Sequence, residues 1–201
     1  MDEIIRNILG AKNIMKNLGY EPLDNFSYSC IVYKTLELGS GMNRIFKTTD
    51  SRDVIWCLDH ILHEKRVLDS IKGVRNINQY LMFYDFRQGD LISKKLALKY
   101  PVALVKEYLE RIDIEGNWSG IGKIGEKNFK ILEEVVHAAH EAGFSNLDLR
   151  LPNIIIDLAK EPHLIDLGSA TYKYESRSIG NFEFWKREDL VRLDELHSML
   201  C

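Results

Sequence analysis

The chain has 201 residues, of which 45% are hydrophobic and 28% charged, a composition that supports a packed core and excludes a disordered tail. The formal net charge is -3, with Lys and Arg interspersed among Asp and Glu, so no basic tract favours nucleic acid or an anionic membrane as a partner. Three widely separated cysteines, Cys30, Cys57 and Cys201, lack C-x-x-C spacing and point to a reducing compartment rather than a disulfide framework or a zinc site.

The chain opens Met1-Asp2-Glu3, and no apolar run approaches the roughly 20 residues that a transmembrane helix requires. The expected location is cytoplasmic, although a protein exported without a Sec-type leader would read the same way. Ile4, Ile8, Ala11, Met15 and Leu18 recur at helical spacing ahead of Gly19, which predicts an N-terminal amphipathic helix over 1–19. The β-branched and aromatic run from Tyr28 to Leu38, the punctuation Gly39-Ser40-Gly41 and the run from Met42 to Thr48 predict strand, turn and strand. Asp50 or Ser51 is positioned to cap a long helix in which Val54, Leu58, Ile61, Leu62, Leu68 and Ile71 share a face, with Gly73 ending it.

Tyr80 to Phe86 and Val102 to Tyr108 read as two further strands, joined through a polar stretch with room for a short helix. A helix is predicted from Glu126 to Glu141, with Phe129, Leu132, Val135, Val136 and Ala139 on one face and Gly143 behind it. Two short apolar strands follow, Ile154-Ile155-Ile156 and His163-Leu164-Ile165, and a last helix carries Leu190, Leu193, Leu196 and Leu200. Strands with one inserted helix, then mainly helices, describe an α+β fold of two lobes, over 20–109 and 110–201.

The chemistry-bearing residues cluster around the late strands. Asn146-Leu147-Asp148-Leu149-Arg150-Leu151-Pro152-Asn153 precedes the first, and Leu164-Ile165-Asp166-Leu167-Gly168 closes the second. An Asp followed by an Asn, then a second Asp opening Asp-x-Gly after an apolar pair, resembles the apparatus of the protein kinase-like superfamily. The resemblance spans Asn25 to Leu200 and extends to Ile45-Phe46-Lys47 and to Leu62-His63-Glu64-Lys65-Arg66, similar to the family's strand lysine and helix glutamate at their usual separation. Val105-Lys106-Glu107-Tyr108-Leu109-Glu110 resembles the segment whose backbone, here at Glu107 and Leu109, meets adenine.

The resemblance implies a small antiparallel-sheet N-lobe and a truncated, mainly helical C-lobe. It implies Mg2+, or Mn2+ in its place, and ATP as cofactors, with Lys47 and Glu64 aligning the phosphates, Asp148 handling the acceptor proton, Arg150 neutralising the γ-phosphate, and Asn153 and Asp166 ligating the metal. A rival register makes Lys34 the ATP lysine.

Several features depart from the family pattern. Leu38-Gly39-Ser40-Gly41 imitates a phosphate loop but stands too close to Lys47 and reads as a hairpin turn, which moves the loop to the glycine-free Asp24 to Ser29. Lys106 occupies a position where an uncharged side chain is usual, and Asn146-Leu147 replaces the frequent His-Arg. Asp189 and Asp194 read as a solvated helix face, with anchoring of the catalytic loop as the other option. His60, His63, His137 and His140 lack the order and third ligand of a metal motif.

The compact form resembles RIO-type kinases, lipopolysaccharide core kinases and small bacterial effector kinases. The expected activity is therefore phosphoryl transfer to a protein Ser or Thr, with a glycolipid sugar hydroxyl as the alternative acceptor and a nucleotide-binding pseudokinase scaffold as the alternative class.

Overall fold

A computed structural model describes residues 3–27, 30–49, 54–88, 94–110, 123–174 and 179–201. The fold is α+β and separates into two compact units, one formed by Met1–Lys65 with Gln79–Tyr108 and the other by Arg66–Asn78 with Leu109–Cys201.

The first unit contains α1 (Glu3–Asn17), β1 (Tyr20–Ser27), β2 (Ile31–Glu37), β3 (Met42–Thr48), most of α2 (Val54–Ser70), β4 (Tyr80–Asp85), α3 (Lys94–Lys99) and β5 (Val102–Glu107). Its five strands form one antiparallel sheet in the order β1-β2-β3-β5-β4. Along β5, Ala103 and Val105 enter a core built with Ala11, Ile14 and Met15 of α1 and with Phe46 of β3. Side chains alternate across a strand, so Leu104 and Lys106 lie on the opposite face. Gly10 lets α1 approach closely, because a Cβ there would lie 2.5 Å from the Tyr100 hydroxyl oxygen.

β2 and β3 are joined as expected by the turn through Gly39 and Gly41, with the Gly41 N–H donating to the Glu37 carbonyl at 2.8 Å. β1 was not anticipated as a strand. It carries Pro22, Asp24 and Asn25, poor strand formers, yet pairs with β2 through two register shifts at Pro22/Asp24 and Asn25/Ser27. An edge strand tolerates Pro because one side of its ladder needs no partner. Asp24 to Ser27, assigned from sequence to a phosphate loop, thus belong to this strand; Tyr28, Ser29 and the caps Asp50 and Ser51 lie outside the described residues.

The second unit packs α4 (Glu126–Glu141) and α5 (Ile179–Leu200) around two small antiparallel pairs. One joins β6 (Phe144–Ser145) to β9 (Thr171–Tyr172), and the other joins β7 (Ile154–Ile156) to β8 (Pro162–Leu164). α4 keeps its predicted bounds, and α5 begins earlier than the sequence pattern suggested because its first turns carry Phe182 rather than a leucine stripe. No helix among the described residues is long and apolar enough to cross a membrane.

The turn of the β7–β8 hairpin is held by Asp157. One of its oxygens accepts the backbone N–H groups of Ala159 and Glu161, each at 2.9 Å, and the other meets His163 Nε2 at 2.9 Å. Burial pushes the Asp157 carboxyl up, but the bonds from His163 and the two amides outweigh it and hold the group below its ordinary 3.8. A depressed carboxyl contributes its full stability above the unfolded-state value and loses it as pH falls through the native one. The hairpin's contribution should therefore be constant above about pH 4 and decline below it. Asp157→Ala should cost about 1 kcal/mol near neutrality and flatten the acid limb of stability, which urea titrations near neutrality and at about pH 3 would measure.

Candidate functional site

In the first unit, the register pairs Lys47 of β3 with Leu104 of β5, which makes Lys47 and Lys106 diagonal neighbours on one face of the sheet. Glu64 of α2 meets both. Lys47 Nζ donates to Glu64 Oε2 at 2.8 Å, and Lys106 Nζ donates to Glu64 Oε1. All three groups are buried, with Glu64 fully so.

Each ammonium meets one carboxylate oxygen, which explains how a lysine is tolerated at position 106, where the motif resemblance anticipates an uncharged side chain. Burying charged groups is a poor arrangement for stability alone, and strongly perturbed charge clusters of this kind are more often found where a ligand has to be met. Lys34, the rival candidate, instead places its Nζ 4.1 Å from the centre of the Tyr108 ring. Glu107 is exposed at the end of β5 and Leu109 lies just beyond the strand, half-buried.

In the second unit, Asp148 and Asn153 come together. Asn153 Nδ2 donates to the Asp148 carbonyl at 3.0 Å and to its Oδ2 at 2.8 Å. The same Oδ2 accepts Arg150 at 2.8 Å, and the Arg150 side chain is 65% exposed, so its guanidinium reaches solvent while remaining tied to the loop. Commitment of Nδ2 as a double donor assigns the amide orientation and leaves Oδ1 of Asn153 as an acceptor.

The hairpin brings the second acid into range of this loop along the backbone: the Ile165 N–H donates to the Asn153 carbonyl at 3.0 Å, so Asp166 follows directly from a residue bonded to Asn153. Asp166 Oδ1 accepts the Gly168 N–H at 3.1 Å, which turns the chain after the strand. An amide oxygen and a carboxylate are hard oxygen donors and fit Mg2+ or Mn2+ rather than a soft metal.

Asn146 and Asp148 both adopt left-handed backbone conformations, with φ of 56° and 52°. Such residues cost energy outside glycine and are retained when their surroundings impose them. The imposing contact comes from Asp189 of α5. Its Oδ1 accepts the N–H of fully buried Leu147 at 2.9 Å, and its Oδ2 accepts His140 Nε2 of α4 at 2.9 Å. His140 Nδ1 has no hydrogen-bond partner, which assigns the donor proton to Nε2.

Asp189 is therefore not on a solvated face, contrary to the sequence reading, whereas Asp194 is exposed as expected. A signal was present: Asp189 shares the helical stripe of Phe182, Leu193, Leu196 and Leu200, all buried, so its phase places it in the core. His137 is exposed and His140 buried, and the two form no metal pair. His60 stacks on Trp56 with ring centroids 5.0 Å apart.

No protein-family model matches this chain, and no curated protein matches it.

Two stability measurements probe these clusters. Glu64→Ala removes the buried carboxylate that both ammonium groups meet and should lower unfolding stability by about 3–5 kcal/mol, whereas Lys106→Met, which leaves the Lys47–Glu64 pair intact, should cost much less in the same urea titration. Asp189→Ala removes the acceptor for two buried donors and should cost about 2–4 kcal/mol, with faster hydrogen exchange at the Leu147 amide as its local signature.

Proposed function

We propose that the chain is a Mg-ATP-dependent phosphotransferase with a two-lobed, protein kinase-like fold that transfers the γ-phosphoryl group to protein Ser or Thr hydroxyls. The observation that carries this reading is the buried Lys47–Glu64 ion pair. Those two residues are distant in sequence, the pair is expensive to desolvate, and its partners are the ones the kinase resemblance singles out. The Asp148–Asn153 pair and the placement of Asp166 at the end of the adjoining strand support the same reading.

In this scheme Glu64 holds Lys47 in one rotamer, so that its ammonium is oriented for the α- and β-phosphates before nucleotide arrives. Asp148 accepts or orients the proton of the acceptor hydroxyl at its carboxylate, and Asn153 limits the rotation of that carboxylate through the Nδ2 bond. Arg150 leaves Asp148 to meet the γ-phosphate, or bridges both. Asn153 Oδ1 and Asp166 would hold magnesium, whose chemistry when bound is neutralisation of the charge on the phosphates. Glu107 and Leu109 would present backbone groups to adenine.

A scaffold that binds nucleotide without transfer is the second reading, favoured by the hold that Lys106 has on Glu64, since it competes with Lys47 for the same carboxylate. Incubation with radiolabelled ATP and a generic protein acceptor separates the two. Transfer should be seen with the natural chain, should vanish in Asp166→Ala, and should fall by about 10²–10⁴-fold in Asp148→Asn with little change in thermal stability. Undiminished transfer in Asp148→Asn would remove that residue from the role of base, and nucleotide-dependent stabilisation without any transfer would favour the scaffold.

A further inference from the structure

A groove of about 690 Å³ runs in the second unit between the loop of Asp148 and the helix α5. Asp148 and Arg150 are among its lining residues, so the groove adjoins the residue assigned to the acceptor proton. Its apolar lining comes from Leu149, Leu151, Pro152, Trp185, Leu196 and Met199. Its charged lining on α5 consists of Glu188, Arg192 and Glu195, besides Asp189, whose carboxylate is occupied by Leu147 and His140.

Arg192 is bonded to Glu195 at 2.5 Å and also lies in the field of Glu188, so two acids share one guanidinium and a negative charge is left over on this wall. The volume falls within the ~300–1,000 Å³ of ligand sites. A sugar acceptor could bond the charged groups of this lining, but most of the exposed lining is apolar, and each hydroxyl left unpaired against it costs about 1–3 kcal/mol. An apolar side chain meets no such penalty, and the flexible Met199, 54% exposed, can adapt to its shape.

We propose that this groove is the acceptor subsite of the phosphotransferase, and that its occupant is an extended polypeptide carrying a large apolar residue and a Lys or Arg close to the target Ser or Thr. The assignment rests on the function proposed above. The apolar residue seats against Pro152, Leu196 and Met199, the basic residue meets Glu188 and Glu195, and the hydroxyl reaches Asp148. A partly exposed ion pair is worth up to about 1 kcal/mol, so the two acids together correspond to a preference of about fivefold to tenfold in kcat/KM for basic over acidic flanks.

The test uses the full chain with Mg-ATP and two serine peptides identical in their leucine content, one flanked by Lys and Arg and the other by Glu. The basic peptide should be phosphorylated with the higher kcat/KM, mainly through a lower KM. The charge-reversed chain carrying Glu188→Lys and Glu195→Lys should invert the preference, and Met199→Asp should raise KM for both peptides. Equal use of the two peptides, an unaltered preference after charge reversal, or faster transfer to an oligosaccharide than to either peptide would each overturn the groove assignment while leaving phosphotransfer in place. Nucleotide binding with no transfer to any acceptor and no ATP hydrolysis would instead overturn the underlying enzymatic reading, and the subsite with it.

Discussion

One buried carboxylate governs the geometry of the second unit. Asp189 stands in the apolar stripe of α5, where an unpaired acid would be costly, and it is satisfied by a histidine from α4 and by the Leu147 amide. Those two bonds tie both long helices to the loop and pin its backbone between two left-handed residues, Asn146 and Asp148. The orientation of Asp148 toward Asn153 and Arg150 follows from that pinning, and so does the wall of the groove beside it.

The first unit is organised around a different kind of polar burial. Glu64 takes a lysine on each carboxylate oxygen, and both lysines come from strands whose register makes them neighbours. A hydrophobic trio in the same volume would serve stability better, because desolvating three charges offsets most of their mutual attraction. Retaining them makes chemical sense where an anion has to be met by a preoriented cation.

Much of the fold was legible before any coordinates. α4, β3 and the close bounds of β2, β4 and β5 followed from apolar periodicity and from glycines at their ends, since those patterns reflect a single buried face. β1 was not legible, because Pro22, Asp24 and Asn25 have no strand preference of their own and take extended form only through pairing with β2. β6 and β9, of two residues each, are too short to leave any periodic trace. Among the site residues, motif spacing identifies Lys47, Glu64, Asp148, Asn153 and Asp166, whereas the charge of Asp189 reads as a solvated helix face with loop anchoring as the alternative, and only its helical phase points to the buried stripe.

The sequence by itself determined the identities and local settings of the candidate site: which lysine type, which acids and which amide stand beside which strands and turns. It also determined the amphipathic faces of α1 and α4, because a period of 3.6 residues is written in the order of side chains. Only the tertiary structure decided that Lys47 rather than Lys34 meets Glu64, that Lys106 joins them, and that Asp189 supports the loop of Asp148. Each of those choices depends on strand register or helix rotation, long-range quantities that a one-residue shift would reverse without altering any local pattern.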